Sequence, residues 1–316
     1  MATFTTDLPQ RPAVQGACAV ALAYLDDARA AATRLADGSD KTALHEFRVA
    51  IRRLRVTVRA YPGLHEGIPK KQRRRLRKVA RATNAARDAE VQLAWFNERS
   101  ARFSAAERAA VARVRARLRA RRRAELARTR EALGRSFAKL ARRLRRRLTT
   151  LESDAGPHAA LFGAVAGATL VHYAGELDLH ITDVATHAAE PDQMHASRIA
   201  AKRVRYLLEP LEPSLAGAGA LVKRLKRLQD LFGALTDAHE LDVVLKKEGA
   251  TVDAVVQVLQ TEVAESLSLL QREWAETGPM LQREIGTAAG RLAGGPGSAT
   301  PRSLRQPARR RRRVSV

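Results

Sequence analysis

The sequence predicts an all-α protein built by internal duplication, and three observations carry that reading. Ala, Leu and Arg, all good helix formers, abound, and no stretch alternates apolar and polar residues as a half-buried strand would. Apolar residues instead recur at three- and four-residue spacing, the period of a helix with one buried face. Finally, one motif occurs twice. His45-x-x-Arg48-x-x-x-Arg52-Arg53-x-Arg55 returns as His195-x-x-Arg198-x-x-x-Lys202-Arg203-x-Arg205, with Lys for Arg at a single position. A repeat on this scale sets the architecture before any single element does.

Taken in order, Met1 to Gln10 reads as frayed, and Pro12 suits the first turn of a helix running from Ala13 to Ala36. Asp37-Gly38-Ser39-Asp40 stops it, and Asp40 caps a second helix from about Lys41 to Ala60. In this second helix His45, Arg48, Arg52, Arg55 and Arg59 form a basic stripe beside the apolar Phe47, Ile51, Leu54 and Val58. Tyr61-Pro62-Gly63 ends it and Pro69 opens a third helix crowded with Lys and Arg, of which Lys70, Arg74, Arg77 and Arg81 share one face. After Asn84, Arg87-Asp88 begins a fourth helix through Val91, Leu93, Trp95 and Phe96. Ser104 to Leu148 is Arg-dense helical sequence with capping-box spacing at Ser104 and Glu107, and Gly134 is expected to divide it. Its plainest role is a solvated face or hairpin joining the halves, with the boundary at Thr149 to Pro157.

The second half repeats this order. Leu161 to Leu177 matches helix one, and the His195 helix matches helix two and is broken by Pro210 and Pro213. Leu221 to Leu231 makes a basic helix three, and Gly233 to Asp237 leads into a fourth helix. Asp237 stands where Asp88 stands, and each is expected to cap a helix or hold a neighbouring Arg. Val252 to Ala289 is helical. From Gly290 onward Gly, Pro and Ser accumulate before Arg309 to Arg313, so 290–316 reads as a disordered Arg-rich tail.

The 316 residues carry a net charge of +24, which implies an anionic partner or surface, or counterions that offset self-repulsion. Arg-rich composition can reflect coding bias, but that does not place cations on one helical face twice. Cys18 is the only cysteine, so neither an internal disulfide nor a Cys-based zinc site is available. The longest apolar runs are too short to span a bilayer, and the N-terminus lacks a basic region before its apolar stretch. A cytoplasmic protein without membrane segments is expected.

Guanidinium groups offer paired N–H donors that match phosphate oxygens, and ammonium adds a compact charge. Two copies of one stripe would line a common groove from both sides, and a linear polyanion fits such a groove better than one small phosphate ester. Metal binding at His45 or His195 is disfavoured, since cations surround both and no second ligand stands at helical spacing. Each histidine suits donation to phosphate or a packed helix start. No P-loop, HExxH or carboxylate cluster for magnesium occurs, and no nucleophile–base spacing stands out, so no catalytic activity and no cofactor are expected.

These two motifs resemble the signature helices of the CHAD family, the conserved histidine α-helical domains. Ala86-Arg87-Asp88 and Leu235-Thr236-Asp237 resemble its helix-four entries, and the resemblance covers Pro12 to Ala289. It implies two four-helix bundles related by a pseudo-twofold, about 12–148 and 157–289, around a basic central cavity that binds inorganic polyphosphate. It also implies association with polyphosphate granules. Carried over by position, the contacts would be His45, Arg48, Arg52, Arg53 and Arg55, with His195, Arg198, Lys202, Arg203 and Arg205. Helix three would add Lys71, Arg74 and Lys78, and Lys223, Lys226 and Arg227. Nothing matches the alternating-glutamate pattern of the triphosphatase domain fused to many members, so the chain resembles a stand-alone binding form. Two departures stand out: Asn84-Ala85-Ala86 replaces a glycine-containing turn, and the 104–148 segment is unusually basic.

The alternative is a non-specific nucleic-acid-binding protein using the same charge. Single-strand binders add stacking aromatics and duplex readers a groove-reading helix. Here Tyr206 is the aromatic near a stripe, and neither repeat resembles a helix-turn-helix.

Overall fold

The computed structural model describes residues 2–37, 40, 42–156, 160–186, 191–247 and 252–294, and these residues are helical without a strand. The first half comprises α1 (Ala13–Asp37), α2 (Ala43–Ala60), α3 (Pro62–Gly67), α4 (Lys70–Ala82), α5 (Asn84–Arg99) and α6 (Ala105–Ser153). The second comprises α7 (Phe162–Thr186), α8 (Pro191–Leu208), α9 (Ala218–Lys246) and α10 (Asp253–Gly294). In the first half α1 packs on α2 and α6, while α4 and α5, end to end, pack on α6. In the second α7 packs on α8 and α10, and α9 on α8 and α10. Each half thus makes a four-rod bundle, because each helix buries one apolar stripe and needs partners on that side.

The halves meet along α1–α7 and α2–α8. Their starting points are tied by backbone: Ala13 N–H donates to Ala160 at 2.7 Å and Phe162 N–H to Arg11 at 2.8 Å. Gly16 permits this approach, since a Cβ there would come within 2.5 Å of the Phe162 ring. One apolar cluster runs from Leu25, Phe47 and Leu54 through Phe137 and Phe162 to Val204, Leu225 and Ile285. A second cluster at the far end joins Phe96, Phe103 and Val114 to Leu241, Val255 and Leu259. Above it, Trp95 Nε1 donates to Glu262 at 3.0 Å and Arg99 pairs with the same carboxylate at 2.6 Å.

Several boundaries differ from the sequence reading. Residues 2–10 pack rather than fray: Phe4 lies edge-on against Tyr24 of α1, and the turn around buried Leu8 packs on α7. The short α3 separates the second and third predicted helices and is anchored by buried Leu64. Gly134 does not divide α6, which runs 49 residues from a complete Ser104–Glu107 capping box. The interior glycine costs about 1 kcal/mol, but buried Leu133, Phe137 and Leu140 hold the helix on either side. α10 continues to Gly294, five residues into the stretch read as tail, and 295–316 lies outside the described residues.

The helix break also falls in the opposite half from the one that carries the glycine. α4 and α5 separate at Thr83, whereas α9 passes through Gly233 to Asp237 uninterrupted. Side-chain demands explain this. Thr83 and Asn84 both turn to Arg48, while Gly233 leaves room for Arg198, whose guanidinium nitrogen would lie 3.2 Å from an added Cβ.

Candidate functional site

α2 and α8 form the centre of the site because each buries its apolar stripe in the shared core. Phe47, Ile51 and Leu54 do so for α2, and Ala201, Val204 and Leu208 for α8. Their basic stripes are therefore turned toward the seam between the halves. There Lys202 lies among Arg198, Arg52 and Arg205, so a cation from each repeat meets the other. Among the described residues no carboxylate is within ion-pair distance of Arg52, Arg55 or Lys202. Burial, then Arg198 and Arg52, push the Lys202 amine down to about 6, with Asp237 opposing weakly. Arg48 is held down to about 10, first by burial and then by Arg52.

The two histidines flank this centre. Burial lowers His45 below the ordinary imidazole range, and Arg87 and Arg52 add to the effect. Burial also lowers His195, followed by Arg198 and Lys202. Both are neutral near pH 7, so each can donate one N–H to an anion. A bound anion would favour the charged ring. Among the described residues no group of three His, Cys, Asp or Glu side chains could hold a metal ion.

Other motif cations are already engaged. Arg53 pairs with Glu209 at 2.7 Å and lies over the Tyr24 and Tyr206 rings at 5.6 and 5.7 Å. Arg205 approaches the same carboxylate at 3.5 Å and also covers Tyr206. Arg203 pairs with Glu176 on α7 at 2.8 Å and lies over Tyr173. Arg53 and Arg203 thus tie helices together, while Arg205 is held against the end of its own helix. Arg48 donates to Thr83 and Asn84 at 2.8 and 3.0 Å, and Arg198 pairs with Asp237 at 3.2 Å. Asp237 thus holds an Arg, one of the two roles its position suggested. Asp88 lies near Asp237 and Glu240 between Arg48, Arg198 and Arg121, and its carboxyl is raised chiefly by burial.

On the flanks, Lys71, Arg74 and Lys78 of α4 are exposed and have no carboxylate partner among the described residues. Arg77 and Arg81, which share a face with Arg74, stand beside Arg55, whose pKa they lower after burial. Lys226 pairs with Asp230 at 2.8 Å and Arg227 with Glu273 at 2.9 Å. Lys223 lies near Glu212. With Asp230 and Leu231 these three border an open depression of about 380 Å³. Sequence reasoning missed Glu176 and Glu209 entirely. Glu209 carried a usable signal, since it stands fourteen residues after His195 where the first repeat has Arg59 fourteen after His45.

Among the described residues no helix is long and apolar enough to cross a membrane. No curated protein matches the chain. The CHAD domain of the plant Ricinus communis superposes with a TM-score of 0.65 at 19% identity, covering 93% of this chain and 95% of that one. PptA from Streptomyces chartreusis superposes with a TM-score of 0.54 at 16% identity, covering 90% and 98%. At these identities the likeness is one of fold. The CHAD domain family model matches residues 19–246, which take in both His/Arg helices, α4 and α9. The chain belongs to the CHAD family.

Proposed function

We propose that the protein binds inorganic polyphosphate, without catalysis, in the groove between α2 and α8, and that it does so at polyphosphate granules in the cytoplasm. The observation that carries this is the meeting of Arg52 and Lys202 from opposite repeats. Both are partly buried and neither has a carboxylate partner among the described residues. Concentrating like charges in a desolvated seam is unfavourable in the free protein, and an anion reverses the sign. A linear chain of phosphates suits a seam that α2 and α8 flank from both sides. His45, Arg48, Arg52 and Arg55 would contact it from α2, with His195, Arg198 and Lys202 from α8. Arg53, Arg203 and Arg205 act behind them as positioning residues.

Nucleic acid is the weaker reading for a specific reason. Tyr206, the aromatic nearest a stripe, is 2% exposed beneath Arg53 and Arg205, so no base can stack on it. Labelled long-chain polyphosphate, challenged at near-physiological salt with unlabelled DNA and RNA at equal phosphate concentration, tests the proposal. The polyphosphate complex is expected to survive. Equal displacement by every polyanion would reduce the site to net charge.

A further inference from the structure

The two flanks of the groove are not equivalent. α4 carries eight Lys and Arg and no acid. Among the described residues no carboxylate lies within ion-pair distance of any of them, and Arg73 is turned to His65 instead. On α9 the corresponding cations are answered one by one. Arg224 pairs with Glu284 at 2.8 Å, Arg227 with Glu273, and Lys226 with Asp230, while Lys223 lies near Glu212. Exposed pairs of this kind add little stability, but they cancel the local field that would draw in an anion.

Two sign changes in the repeat contribute to the asymmetry, and Glu273 and Glu284 of α10 add to it. Arg59 of the first repeat corresponds to Glu209 of the second, which occupies Arg53 and Arg205. Arg81, seven residues before Asp88, corresponds to Asp230, seven before Asp237, which occupies Lys226. On the first-half side the cations are continuous. Arg55 has Arg77, Arg52, Arg81 and Arg59 as its charged neighbours, from α4 as well as from its own helix.

We infer that the bound polyanion leaves the groove over one wall only, running from Arg52 and Lys202 past Arg55 to Arg77 and Arg81 on α4, while α9 makes no ligand contact. The inference rests on the polyphosphate reading and adds a direction and a length requirement to it. A chain that fills only the seam does not reach α4, so full affinity needs a longer one.

The test measures affinity of the full chain for short and long polyphosphate over a range of salt concentrations. The proteins compared are the unmodified protein, Arg77→Gln/Arg81→Gln and Lys226→Gln/Arg227→Gln. All four positions are exposed, and thermal melts check that each variant folds. For the α4 pair, long-chain affinity falls about tenfold and the log–log salt slope shrinks by about 1.5, as for two lost phosphate contacts. Short-chain affinity stays put. The α9 pair changes neither affinity, and Asp230→Arg, which recreates an open cation wall, raises long-chain affinity. Equal losses from both pairs, a larger loss from the α9 pair, or no preference of the unmodified protein for long chains would overturn the one-sided path. Failure of the unmodified protein to hold polyphosphate against DNA would sink the polyphosphate reading itself, a separable result.

Discussion

α2 and α8 carry the same motif at the same spacing and bury the same kind of apolar stripe, yet their cations are in different states. On α2, Arg52 and Arg55 have no carboxylate partner among the described residues, whereas on α8 Arg198, Arg203 and Arg205 are paired with Asp237, Glu176 and Glu209. A motif therefore locates a cation on a helix face. Whether that cation is free to meet a ligand is decided by acids outside the motif. The duplicated chain divides the labour unevenly: among the described residues three of the α8 motif cations are held by acids and Lys202 is left open, whereas on α2 only Arg53 is so held.

The largest expected effect comes from attacking the point where the repeats are alike. Arg52→Glu with Lys202→Glu removes two cations and adds two repulsions, so polyphosphate affinity at near-physiological salt should fall about a thousandfold. Equilibrium binding with a circular dichroism control measures it. Glu209→Gln attacks the difference instead. With Glu209 10% exposed between Arg53 and Arg205, its loss should destabilise the fold by about 3 kcal/mol in urea titration. Arg59→Gln at the corresponding position should cost under about 0.5 kcal/mol.

Proton uptake is the next effect in size. The Lys202 amine, at about 6 in the free protein, gains negative neighbours on binding and its pKa rises. Binding then takes up protons near neutrality, and affinity falls as pH rises from 6 to 8, by up to about tenfold per unit for one proton. Calorimetry in buffers of differing ionisation heat should register the uptake, and Lys202→Arg should remove most of it. The sign for stability follows from the same shift. The folded pKa lies below the unfolded 10.5, so the destabilisation is full below about 6 and is relieved as pH climbs toward the unfolded value. Polyphosphate should therefore raise the melting temperature more at pH 6 than at pH 8.

A smaller effect separates binding from stability. Gly233→Ala improves helix propensity by about 1 kcal/mol while crowding Arg198, so stability should hold as affinity drops about threefold. Removing Arg309 to Arg313, which belong to neither copy of the motif, should cost least, under about twofold, since they add net charge without a fixed place in the repeated stripe and net charge is screened by salt.

The all-helical class and the repeated motif were legible because period and motif are local properties of the chain. That Arg52 and Lys202 stand on the basic faces of their helices was legible because a face can be read from spacing. Three things were not legible, for physical reasons. Arg53 and Arg203 sit one step off the stripe, and whether each meets an acid depends on Glu209 and on Glu176, 27 residues away on another helix. Thr83 breaks a helix that Gly233 leaves whole, since bonding to Arg48 and space for Arg198 outweigh intrinsic propensity. The continuity of α6 through Gly134 follows from packing on both sides of the glycine.

The apolar cluster that runs unbroken from α1 to α10 has a consequence for cooperativity. Both repeats contribute to this one continuous core, so the copies are expected to behave as one thermodynamic unit. Heat should dismantle both in a single calorimetric transition, and neither half expressed alone should hold its shape. The duplication survives in the order of the helices but no longer in their independence.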